Sequence, residues 1–159
     1  MKKQRGFSLI ELLIVVAVIL IVAAIAVPAF IRSEIAANEA SAVACLRDIN
    51  TGEVTYNNTY PGTYATLDQL GPGGSTCGTP SSTNACLIDN VLASASSAAT
   101  AKSGYYFTIG GDLVTGYTSL AQPSGPNTTG TRTFCSDETL VLFVNATGGA
   151  CTATTASPL

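Results

Sequence analysis

The chain has 159 residues, 47% of them hydrophobic and only 11% charged, with 7 Lys and Arg against 10 Asp and Glu. Three of the bases (Lys2, Lys3 and Arg5) fall in the first six residues, which leaves 4 basic and 10 acidic side chains, a net of −6, for the remainder. That balance excludes the clustered Lys and Arg of a nucleic-acid-binding surface, and the absence of histidine excludes Ser-His-Asp triads, Cys-His pairs and His-based metal sites.

The chain opens MKKQRGFSLIELLIVVAVILIVAAIAVPAF. Sixteen consecutive uncharged apolar residues run from Leu12 to Val27, and from Phe7 to Ile31 the one charge in twenty-five residues is Glu11. A helix rises about 1.5 Å per residue, so this stretch is long enough to cross the hydrocarbon of a bilayer. The basic residues before it predict a cytoplasmic N-terminus.

Beyond Pro28 the pattern turns amphipathic. Ile31, Ile35, Ala42, Leu46 and Ile49 recur at helical spacing with Val43 and Val54 beside them, while Arg32, Glu34, Asn38, Glu39, Arg47 and Asp48 lie largely off the stripe. Asn57, Asn58 and Pro61-Gly62 supply the stop. The reading is one long helix from Phe7 to about Asn57. Its first half is apolar all round and its second half has one face to bury.

A short helical turn is expected at Thr66–Leu70, a loop over 72–84, and weakly helical or irregular chain over 85–101. Four strands follow: Gly104–Ile109, Val114–Ala121, Arg132–Ser136 and Leu140–Val144, the last two forming a hairpin around Asp137-Glu138. The expected fold class is α+β: the long helix packed by its amphipathic half on a small antiparallel sheet of about four strands. The expected divisions are 1–6, 7–30, 31–58 and 59–159.

Five cysteines remain to be placed: Cys45, Cys77, Cys86, Cys135 and Cys151. None forms a C-x-x-C pair, and beyond a membrane-inserting segment they read as disulfides in an oxidising compartment. Five cysteines allow fifteen choices of two pairs. Local spacing favours Cys77–Cys86 across a Gly/Ser/Thr/Pro loop and Cys135–Cys151 between the last hairpin and the tail. Cys45, on the helix, is then a buried free thiol. Asp112, Asp137 and Glu138 sit in turns with no calcium-loop pattern around them, and Tyr56, Tyr60, Tyr64, Tyr105 and Tyr106 read as packing between head and helix. No nucleophile motif and no cofactor fingerprint is present, so the expectation is a protein that is not an enzyme and needs no cofactor or metal.

Gly6-Phe7-Ser8-Leu9-Ile10-Glu11, the apolar run behind it and Pro28 seventeen residues after the glutamate resemble the N-terminus of type IV prepilins and of the related pseudopilins of type II secretion. The resemblance implies a leader cleaved between Gly6 and Phe7 by a prepilin peptidase, and N-methylation of Phe7. It also implies retention in the bacterial inner membrane, until an assembly platform with its ATPase adds the subunit to a homopolymeric surface filament. In that setting Glu11 and Pro28 become assembly residues. Leu20 stands where many pilins carry a glycine. Two other readings stay open on the sequence: a pseudopilin, and a soluble secreted binding module released by signal peptidase at Ala24-Ile25-Ala26.

Overall fold

The computed structural model describes residues 7–152 and 154–159. The expected leader, with Gly6 and the cleavage junction, lies outside them. Two compact units divide between Glu34 and Ile35 and are described separately.

Helix α1 runs Leu9–Thr59. In the first unit its residues are the apolar run of the sequence, and it includes the one stretch among the described residues long and apolar enough to cross a membrane. Pro28 lies within the helix and does not end it; it only withdraws one N–H from the ladder.

In the second unit α1 buries Ala42, Val43, Cys45, Leu46, Ile49, Gly52 and Tyr56. These positions repeat every three or four residues, as one helical face requires. Two short helices follow, α2 (Leu67–Leu70) and α3 (Asn90–Ala93), then a 3₁₀ turn at Ala98–Thr100. Thr66 and Gln69 close a capping box on α2, and Asp89 caps α3 by accepting from the Leu92 amide.

The strands are β1 (Tyr105–Gly110), β2 (Thr118–Pro123), β3 (Thr133–Asp137), β4 (Leu142–Asn145) and β5 (Ser157–Pro158), antiparallel and in sequence order across one sheet. The fold is thus α+β and pilin-like. Register places Phe107 opposite Ala121, Ala121 opposite Phe134, and Phe134 opposite Val144. This row meets the core with Leu46, Ile49, Leu70 and Leu92. The opposite face of β3 is also buried, because Cys135 is bridged to Cys151 and the Thr133 hydroxyl donates to Gly149 O. A strand covered on both sides loses the alternation that a half-exposed strand shows.

Three expectations need correction. The sheet has five strands instead of about four; β5 is two residues long with a proline, too short and too atypical to register as a strand. The second strand begins at Thr118, not Val114, because the Asp112 carboxylate accepts from the amides of Val114, Thr115 and Gly116 and so takes the donors a strand needs. Glu39 is not on an open helix face: it is 4% exposed, covered by the β2–β3 loop through Thr131 and Arg132.

Cys77–Cys86 and Cys135–Cys151 are bridged, each with a Cα–Cα distance of 5.8 Å, and Cys45 is a buried thiol. Chain entropy gives the sixteen-residue loop of the second bridge about 3 kcal/mol. Replacing Cys135 and Cys151 together by serine should lower head stability by about that amount in urea unfolding of the full chain. A loss under about 0.5 kcal/mol would mean that packing of the tail, not the bridge, holds β4 and β5.

Candidate functional site

The chemistry-bearing residues of the first unit lie at the start of α1. Phe7 and Ser8 precede the helix, and the Leu12 amide donates to Ser8 O, which makes Ser8 the N-cap. Glu11 is the third helical residue, and its Oε2 accepts from the Ser8 amide at 2.9 Å. This is the reciprocal half of a capping box, in which a glutamate reaches back to satisfy an amide that the helix cannot. Its carboxylate also lies where a helix N-terminus favours negative charge. The spacing Ser8-x-x-Glu11 is itself a local capping signal in the sequence, set within an apolar run where the charge has a second role.

Phe7 and Glu11 are four residues apart, about one helical turn. Around and beyond them the large apolar side chains from Leu9 to Val27 are exposed. A lone helix can satisfy its backbone but not bury its surface, so this segment needs either lipid or other helices around it. Pro28 sits at the far end of that apolar run.

In the second unit the polar residues nearest the helix are structural. Tyr56 OH donates to Ser82 O and Tyr105 OH to Arg132 O. Tyr117 OH donates to Asn50 Oδ1, while Asn50 Nδ2 donates to Ser136 Oγ, so one asparagine of α1 joins the residue before β2 to strand β3. Neither Asn50 nor Tyr117 is singled out by the sequence, since an asparagine inside a helix carries no local mark of a distant partner. Asp112, although exposed, is held down to about 2 by the Thr115 hydroxyl and by the amides of Thr115, Val114 and Gly116. Its oxygens therefore serve the turn. Among the described residues no group of three or more His, Cys, Asp and Glu is placed to hold a metal.

A single long helix, apolar at its start and packed at its end on a five-stranded antiparallel sheet with two disulfides, defines a pilin-like structure. Residues 1–27 match the family described as the prokaryotic N-terminal methylation motif. Among curated proteins the chain is similar to the type IV wide pilus major component PilA4 of Thermus thermophilus. The two are 39% identical over 74 residues, which cover 45% of this chain and 56% of that relative. The chain thus spans just over half the length of the relative it matches. No solved structure matches it. The motif and the relative together support a type IV pilin.

Proposed function

We propose that the chain is a structural subunit of a type IV pilus. In this reading it is cleaved after Gly6, N-methylated at Phe7, held in the inner membrane by residues 7–30, and polymerised into a surface filament. Its partners are a prepilin peptidase, an ATPase-driven assembly platform and other copies of itself. The observation that carries the reading is the N-terminus: a basic leader, a Gly-Phe junction, a glutamate five residues on and an uninterrupted apolar helix, all within residues that match the methylation motif.

The role of Glu11 follows from electrostatics. A carboxylate deep in an apolar setting costs about 2.5–3.5 kcal/mol on insertion scales, and more if no partner meets it. Near the edge of a bilayer Glu11 escapes most of that cost. Among packed apolar helices it does not, unless a cation is supplied. Cleavage before Phe7 creates one: the new α-amine, which one methylation leaves positive. A neighbour staggered along the filament axis brings its amine to Glu11, and other registers leave the carboxylate unpaired.

The capping bond of Glu11 allows the charge to be tested apart from the helix start. Glu11→Gln keeps an oxygen able to accept from the Ser8 amide but has no charge; Glu11→Ala loses both. Each variant is expected to be cleaved and inserted as the wild type is, and to give no fibres by electron microscopy of sheared cells lacking the wild-type gene. Fibres of normal length from Glu11→Gln would reduce Glu11 to a cap and remove the docking role. Mass spectrometry of the mature N-terminus tests the reading as a whole: a chain starting at Val27 instead of at methylated Phe7 would overturn it.

A further inference from the structure

Glu53 is a carboxylic acid in the wrong place. It lies on the buried face of α1 with 0% of its surface exposed. Its Oε2 accepts from the Ala65 amide at 2.9 Å, and its Oε1 has no hydrogen-bond partner among the described residues. The ion pairs of the head are made elsewhere, by Arg132 with Glu39 and by Lys102 with Asp89. One backbone amide is far less than a buried carboxylate needs when charged.

The groups that face Glu53 do not supply what is missing. From its own helix it meets Tyr56, and from the residue before β2 it meets Tyr117. Burial raises both phenols above their usual value, so both stay neutral. Their hydroxyl protons are committed, that of Tyr56 to Ser82 O and that of Tyr117 to Asn50 Oδ1. Beyond Tyr117 stand Tyr64, Asp137 and Glu138, none of which is a cation.

The bond to Ala65 fastens a particular piece of chain. Residues 60–66 leave the end of α1 and lead into α2. They are tied to α1 by Asn57 Nδ2, which donates to Thr63 O, and by Glu53; they are tied to the β1–β2 turn by the Tyr64 amide, which donates to Leu113 O. Glu53 is the buried member of these ties.

We infer that Glu53 is a proton-operated latch between α1 and the segment 60–66: as the neutral acid it keeps the segment seated, and when it ionises the seat loosens to let water reach the carboxylate. The device stands on the geometry of the second unit alone and does not depend on the filament reading. Burial pushes the Glu53 carboxyl up to about 7 against the single opposing bond from Ala65, starting from an ordinary value of 4.5. Between those two values the folded state holds a proton that the unfolded state has lost. Stability is therefore full below about 4.5, falls as pH rises through this window, and levels out above about 7. The loss amounts to a few hundred-fold in the folding constant, about tenfold for each pH unit between the two values.

The test uses the full chain in detergent micelles. The ¹³Cδ resonance of Glu53 is expected to titrate with a midpoint near 7. In Glu53→Gln the pH dependence of thermal unfolding between pH 5 and 8.5 should flatten. Exchange of the Ala65 amide, once corrected for intrinsic pH dependence, should rise many-fold with pH in the wild type and stay level in the variant. A Glu53 midpoint near 4.5, or an Ala65 amide equally protected across the range in the wild type, would overturn the latch. Should Glu53→Gln fail to fold, the wild-type midpoint and the wild-type Ala65 exchange decide on their own.

Discussion

Replacing Glu39 by alanine is expected to destabilise the head by about 2–4 kcal/mol. Its Oε1 accepts from the Thr131 amide, the Thr131 hydroxyl and the Arg132 amide, and its Oε2 accepts from Arg132 Nε. Alanine would leave two backbone amides at the entry to β3 without an acceptor, each costing about 1–3 kcal/mol if it cannot reach water. Arg132 is half-exposed and can rehydrate, which keeps the loss toward the lower end for a broken pair of this kind. The pH dependence has the opposite sign to that of Glu53. Burial raises the Glu39 carboxyl, but the bonds from Arg132 and Thr131 outweigh it and hold the group below its ordinary 4.5. Its contribution is therefore complete above about 4.5 and is lost as pH falls through the lower, folded-state value. Thermal unfolding of wild type and Glu39→Ala should converge at acid pH and separate by roughly 10 °C at neutrality. A constant gap across the range would mean that Glu39 acts through packing alone.

Leu46→Ala is the second large effect, at about 3 kcal/mol. Leu46 is 0% exposed and belongs to the core shared by α1, the short helices and the sheet. Truncating a buried leucine costs about 2–5 kcal/mol, the value depending on how far the site can collapse. Here the surrounding β1 and β3 aromatics are held by their own ties: Tyr105 by its bond to Arg132 O, and Phe134 by the sheet on both sides. Collapse is hindered, so the loss should not fall to the bottom of the range. Val54→Ala is the control: Val54 lies beside the same stripe but is 41% exposed, and a change under about 0.5 kcal/mol is expected. Urea unfolding of the two variants measures the difference. Equal losses would show that the helix does not turn this face to the core.

The stripe Ala42, Leu46, Ile49 was legible because helical periodicity is a local property of the chain, and so was the short helical turn at Thr66–Leu70. The strands β1 and β3 were legible from runs of aromatic and β-branched residues between turn formers. What the sequence does not disclose shares a physical cause. Glu39, Asn50 and Glu53 are polar residues on a helix, and nothing within a few positions of them tells that Arg132, Tyr117 or Ala65 will cover them. Val114 carries strand propensity, but Asp112 draws the following amides away from any ladder. Ser8-x-x-Glu11 is a local capping signal, masked because a charge in an apolar run has a second, more conspicuous explanation.

The two-residue strand β5 and the segment around Ala95 cover parts of the sheet's two borders. Along one border Ser157 and Pro158 pair with β4, and the Leu159 amide donates to Leu142 O. Along the other, the Phe107 amide of β1 donates to Ala95 O. Open strand edges are templates on which other chains add themselves, and a short proline-bearing border refuses that growth. In the proposed filament the heads would lie close together, where exposed edges would invite pairing between copies. Borders covered in this way would leave the order of assembly to the helix and keep the sheets of neighbouring copies from pairing.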